Sequence, residues 1–169
     1  MSVENLKIIP AGKEHVKALA IIHVNSWKAA HKNIVPDETL NSMTVQKRIN
    51  VFSEALKDKN IYLAIQDNAP AGFITVDRAR DPDLTNAGEI WGIHLDPKFW
   101  RKKIGTELLN WGLDYLTKKN YDKIVLWVFE DNYRARKFYE SKGFILEGSA
   151  NLMEKYNNAK ALRYIKKIS

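Results

Sequence analysis

Cysteine is absent from the chain. No disulfide, thiolate nucleophile or cysteine-ligated metal can therefore form. Long apolar runs are absent as well. Nothing reaches the length that spans a bilayer, and residues 1–10 hold no apolar stretch of signal-peptide size. These absences predict a cytoplasmic protein with no membrane partner. Glycine and proline are sparse, eight and five among 169 residues, and scattered. No linker, repeat or low-complexity tract marks a boundary, so residues 1–169 are read as one domain of ordinary size. The four histidines lack metal-type spacing, with no His-Glu-x-x-His and no cysteine beside them, and no metal is expected. Acidic residues are in deficit: 20 Asp and Glu stand against 27 Lys and Arg, a net charge of +7. That balance fits a nucleic acid, an anionic surface or a polyanionic cofactor, and equally a solvated lysine-rich face. No recognition-helix or RNA-binding sheet motif is present, so nucleic acid is not expected as a partner.

What is present is an alternation of strand and helix patterns, with 45% hydrophobic residues. Residues 6–9 read as a short strand. Over residues 13–27, Val16, Leu19, Ala20, His23 and Trp27 recur at helical spacing. Pro36 ends an irregular segment, and Thr44 can cap a helix carrying Val45, Ile49, Phe52 and Leu56. Residues 61–65 and 72–76 read as strands joined by a turn at 67–71. A polar loop follows, then a strand over 89–95, stopped by Pro97. Residues 104–116 are strongly helical, and 123–129 form an apolar strand buried on both faces. Asn132 can cap a short helix that closes at Gly143. Strands at 144–147 and 161–168 complete an α/β (α+β) pattern: a mixed sheet with helices on both faces.

Two stretches carry chemistry. In residues 89–106 a strand delivers Arg101, Lys102 and Lys103 into the start of a helix, with Gly105 in its first turn. Free amides and the positive dipole end make such a terminus a seat for phosphates. In residues 132–144 a capped helix carries Tyr139, whose phenol can give a proton or simply pack on the sheet.

Together these stretches resemble the GCN5-related N-acetyltransferases. Asn132, Ala135, Phe138, Tyr139, Gly143 and Phe144 match that family's Asn-x-x-Ala-x-x-Phe-Tyr-x-x-x-Gly-Phe motif without a gap. The earlier loop, Arg/Gln-x-x-Gly-x-Gly/Ala, is matched only in part. Trp100 stands at its first position, Lys103 at its first glycine, and only Gly105 keeps the signature. A positive φ at Lys103 would cost about 1–2 kcal/mol.

The resemblance implies a GNAT-like, mostly antiparallel sheet and acetyl-CoA as cosubstrate. It implies that the strand ending at Leu95 splays from its neighbour. Backbone groups of Ile93 and Leu95 would hold the pantetheine arm. Amides of Arg101, Lys103, Gly105 and Thr106, helped by Lys102, would hold the pyrophosphate. Asn132 would reach the cofactor, and Tyr139 its sulfur. Trp27 and His31, four apart on the first helix, would border the acceptor, though Trp27 serves equally as a packing staple. Glu89 is the candidate base or a strand-end ion-pair partner. Strict alternation puts it on one face with Ile93, and His94 on the other. The expected reaction is acetyl transfer to a primary amine of a small molecule. A peptide N-acetyltransferase and a non-catalytic acyl-CoA-binding module stay open, and so does a homodimer through the C-terminal strands.

Overall fold

The computed structural model of the chain describes residues 3–168. Seven strands form one sheet in the order β1-β2-β3-β4-β5-β7-β6. They are β1 (Leu6–Pro10), β2 (Asn60–Gln66), β3 (Ala69–Arg78), β4 (Ala87–Leu95), β5 (Lys123–Phe129), β6 (Ile145–Met153) and β7 (Ala159–Lys167). Every neighbouring pair is antiparallel except β4 and β5. Five helices join them: α1 (Val16–His31), α2 (Asp37–Ser42), α3 (Val45–Ala55), α4 (Ile104–Lys118) and α5 (Tyr133–Ser141). The expected mixed sheet with helices on both faces is what is found.

Alternation along the strands sorts the core into two layers. Phe73 and Leu63 pack with Leu19, Ile22 and Phe52 of α1 and α3. Their strand neighbours Ile74 and Ala64 pack on the other face with Ile104, Leu108 and Leu116 of α4. Leu108 and Leu116 are wholly buried, each contributing about 1.5–3 kcal/mol. Gly112 lets α4 sit close to the sheet, because a Cβ there would fall 2.5 Å from Ile74 Cδ1. Trp111 turns aside and packs at a tilt against Tyr62, 4.1 Å between ring centroids.

The caps behave as their sequence suggests. Thr44 Oγ1 accepts from the Lys47 amide, and Asn132 Oδ1 from the Ala135 amide. Gly143 closes α5 at φ 85°. The β2–β3 turn is tighter than expected. It uses only Asp67 and Asn68, both at positive φ, and Pro70 lies inside β3. That proline is tolerated because β4 begins to pair with β3 only at Gly72, so its missing N–H faces no partner strand. Two elements differ from expectation. Residues 37–42, after the irregular segment that Pro36 ends, form a short helix that the sequence reading did not assign. The sixth strand runs on to Met153; most of its side chains are exposed, so it carries no apolar alternation.

The cleft arises where the sheet is incomplete. β4 and β5 pair only from Ala87–Glu89 to Lys123–Val125, and beyond this they diverge. A bulge at Trp91 adds to the bend: Val76 faces Ile90, and Thr75 already faces Gly92. Beside the opening, the loop after β3 is pinned by Arg163 of β7, which is 3% exposed. Its guanidinium meets Asp81 at 3.2 Å, Asp83 at 2.7 Å and Glu147 at 2.9 Å. These hydrogen bonds hold the Glu147 carboxyl down at about 2.

Candidate active site

The divergence leaves a cleft of about 1460 Å³, more than a single drug-sized ligand fills. One wall is the edge of β4. The Asp96 amide bonds the Ala71 carbonyl at 2.9 Å, toward β3. Antiparallel alternation then turns the backbone groups of Leu95 and Ile93 away from β3, into the cleft where β5 is missing. The Leu95 carbonyl accepts the Trp100 indole N–H at 2.8 Å. Trp100, at the position usually held by Arg or Gln, thus clips the basic loop to the strand end. The Arg134 guanidinium stacks on the same indole at 3.5 Å.

The second wall is the start of α4. Arg101 and Lys103 both have left-handed backbones, φ 61° and 63°. Each is a strained conformation for a side chain of this kind, and backbone turning of this sort makes anion-binding nests. The first backbone bond entering the helix runs from the Glu107 amide to the Lys103 carbonyl, 3.1 Å. The amides before it are the free donors of a helix N-terminus. Gly105 lines the cleft, and a Cβ built there would meet no heavy atom within 4 Å. The space in front of Gly105 is a cradle that any side chain would begin to fill.

The third wall is α5 and the end of α1. Asn132 and Tyr139 line it. Tyr139 is 9% exposed, and burial alone pushes its phenol above the ordinary tyrosine range. Trp27, 5% exposed, packs at a tilt against His31 at 4.7 Å and Tyr156 at 5.3 Å between ring centroids. His31 Nδ1 lies 2.8 Å from the Trp27 carbonyl. A carbonyl only accepts, so Nδ1 carries the proton and Nε2 keeps its lone pair. Burial lowers the His31 pKa, and the bond to Trp27 opposes that in part.

Ile93, Leu95, Arg101, Lys103, Gly105, Thr106, Asn132, Tyr139, Trp27 and His31 therefore meet around one cleft. Two expected residues do not join them. Lys102 is exposed, with its ammonium 5.3 Å over the Phe99 ring. Glu89 is 1% exposed and held by Arg80, whose backbone amide and guanidinium both donate to its carboxylate. Glu89 is an ion-pair partner, the second of its two expected roles, and the bulge explains why it does not share a face with Ile93. The bulge adds one residue to β4, so alternation changes phase at Trp91. Gly88 and Ile90 face α4, and past the bulge Ile93 and Leu95 do. Glu89 and His94 share the α1 face instead, against the expected arrangement.

His94, His23, Trp100 and Arg134 were missed as members of the cleft wall. Only Trp100 had a signal in the sequence, its departure from the loop motif. Among the described residues no group of three His, Cys, Asp or Glu could hold a metal ion, and no helix is long and apolar enough to cross a membrane.

The profile of the Acetyltransferase (GNAT) family matches residues 26–144, which spans all three walls. The chain belongs to that family. It is 27% identical over 165 residues to the spermidine N(1)-acetyltransferase of Thermoplasma acidophilum, covering 92% of this chain and 98% of that one. It is 27% identical over 123 residues to the uncharacterized N-acetyltransferase YuaI of Bacillus subtilis, covering 70% and 69%. The crystal structure of the PaiA N-acetyltransferase from Thermoplasma acidophilum in complex with coenzyme A shares the fold. It superposes with a TM-score of 0.77 at 23% identity over 99% of this chain and 100% of that one. A GCN5-related N-acetyltransferase from Rhodopseudomonas palustris superposes at 0.79 with 16% identity, over 99% of both chains. This GNAT-family chain is an N-acetyltransferase.

Proposed function

We propose that this GNAT enzyme transfers the acetyl group of acetyl-CoA to the primary amine of a small molecule. The observation that carries the reading is the open space at Gly105, at a helix start flanked by Arg101 and Lys103. Pyrophosphate fits there, because free amides, cationic side chains and the absence of a Cβ coincide. The loop amides through Thr106 are assigned to the phosphates. The cleft-facing backbone of Ile93 and Leu95, with Asn132, is assigned to the pantetheine arm. When bound, acetyl-CoA supplies a thioester already activated toward an amine. The Leu95 amide is assigned to polarise an acyl oxygen. Tyr139, which lines the cleft, is assigned to donate a hydrogen bond to a departing thiolate. Its raised pKa favours that bond over full proton transfer, since a thiol near 8.5 is the stronger acid. His31 Nε2 is the proton acceptor we assign, in place of Glu89, whose carboxylate is engaged by Arg80. The Thermoplasma spermidine acetyltransferase supports a small amine as acceptor.

Calorimetry with CoA and a thiol-release assay over a panel of amines test this reading. Expected are saturable CoA binding and acetyl-CoA-dependent release with an amine. No binding at millimolar CoA would remove it. We further propose a homodimer through the β6 edge, where Ile145 and Leu152 are 64% and 65% exposed. Light scattering that shows only monomer at high concentration would remove that part.

A further inference from the structure

His23 and His94 line the α1 side of the cleft, Arg48 stands behind them close enough to act on both electrostatically, and no described acidic group pairs with this cluster. The bulge at Trp91 turns His94 toward α1, where its ring lies 4.4 Å from that of His23. Ser26 Oγ stands 3.3 Å from His94 Nδ1. His23 lines the cleft at 9% exposure, and its Nδ1 is buried without a hydrogen-bond partner. Arg48 comes in from α3, its guanidinium 5.2 Å from the Phe52 ring centroid. Its Nε is buried and unpartnered too. Among the described residues Arg48 forms no salt bridge.

A half-buried guanidinium without a counter-ion, next to a buried imidazole nitrogen without a partner, is costly by itself. An incoming acceptor group satisfies both. Burial, first among the causes, holds His23 down at about 2 and His94 at about 3, so each imidazole is neutral and offers one N–H. The charge of the whole cleft points the same way. Six lysines and arginines line it, against only Asp81 and Asp131. Asp81 is already bonded by Arg163 and by the Trp127 indole. A polyamine would bring further positive charge into this site, where like charges repel.

We propose that the acceptor is an amine that also carries a carboxylate, an α-amino acid or close analogue, with the carboxylate seated against Arg48 and His23. The proposal rests on the N-acetyltransferase reading and names its substrate class. Arg48 supplies the charge and fork geometry, His23 and Ser26 the neutral donors, and the acceptor's amine is left toward His31 and the Leu95 end of β4.

The test pairs acceptors that differ only in the carboxylate. The twenty protein amino acids are offered as one mixture, and their decarboxylated amines with spermidine as another, with acetyl-CoA and mass-spectrometric detection of N-acetyl products. At least one amino acid is expected to react at least about tenfold faster than its matched amine, the scale of one charge-assisted hydrogen bond. Arg48→Gln is expected to erase that preference by raising the amino acid KM, with the acetyl-CoA KM unchanged, and Arg48→Lys to restore part of it. Equal or faster acetylation of the matched amines or spermidine overturns the proposal, as does a preference that survives Arg48→Gln. If wild type acetylates nothing, saturation-transfer NMR on the CoA-loaded protein with the same two mixtures decides. Arg48-dependent amino acid binding then keeps the carboxylate seat and defeats the transferase reading. No amino acid binding overturns the seat itself.

Discussion

Replacing Gly105 with alanine should separate folding from cofactor binding. A Cβ at this position meets no heavy atom within 4 Å, so the folded protein has room for the methyl group. Gly105 lies in the first turn of α4, where alanine restricts the unfolded chain and loses nothing in the helix. The gain is about 0.4–1 kcal/mol. For a chain of this size that corresponds to a Tm rise of roughly 1–4 °C. The same methyl would stand where the pyrophosphate approaches the amides of Gly105 and Thr106. Loss of two hydrogen bonds to a charged group costs about 3 kcal/mol or more, over a hundredfold in Kd. Circular dichroism melts and calorimetry with CoA measure the two effects on one preparation. Lys103→Gly is the control. It relieves the left-handed backbone at φ 63°, offsets some of that gain with unfolded-chain freedom, and removes one cation without filling the cradle. Its CoA affinity should change by less than about tenfold, within the scale of one exposed charge. Wild-type CoA affinity in Gly105→Ala, or equal losses in the two variants, would show that the pyrophosphate does not sit at this helix.

Three further outcomes are expected. Tyr139→Phe should lower kcat at least about tenfold, with little change in acetyl-CoA KM and an unchanged melt. Wild-type turnover would remove the thiolate-donor role, and unfolding would make Tyr139 a packing residue. His23 has a folded pKa below its unfolded one, so the unfolded chain takes up the proton first. The stability it contributes is present above pH 6.5 and lost on acidification, at about 1.4 kcal/mol per pH unit. Urea melts from pH 7 to 5 should show a shallower decline in His23→Leu; an unaltered slope would refute this. Finally, Glu89→Gln should leave the shape of the pH–kcat profile intact, whereas His31→Gln should remove an acidic limb whose midpoint lies below 6.5. The reverse pattern would restore Glu89 as the base.

Features written in local chemistry were legible in the sequence. Thr44 and Asn132 cap helices because their side-chain oxygens reach backbone amides a turn away. Gly143 and the polar turns follow from the same short-range geometry. That Arg101, Lys103 and Gly105 would open a helix onto the cleft was legible from the strand-loop-helix pattern. What failed was everything that depends on a shift of register. Period-two reasoning joined Glu89 to Ile93, and a single extra residue at Trp91 reversed it. No residue type marks that bulge. It reflects how β3 and β4 pair, information held in neither strand alone. The same slip hid the histidine pair. His94 was set opposite Glu89 when the two share a face, and Arg48 lies forty-six positions away on a helix whose amphipathic pattern gave no hint of the cleft.

The cleft depends on sheet bonds left unmade, and the protein must hold that gap open without closing it. A continuous β4–β5 ladder would satisfy the amides of Ile93 and Leu95 and abolish the site. Three clips around the opening oppose this. Trp100 takes the Leu95 carbonyl and fixes the loop against the strand end. Asn25 Nδ2 donates to Asp96 at 2.9 Å, tying α1 to the residue where β4 stops. Arg163 gathers Asp81, Asp83 and Glu147 on the far side, and removing it would leave three carboxylates converging without their cation. The left-handed strain at Arg101 and Lys103 belongs to the same arrangement. Glycine would adopt those angles freely, but it would also loosen the loop. Here two cationic side chains carry the strain, and they keep the loop ordered and positively charged at the mouth of the gap.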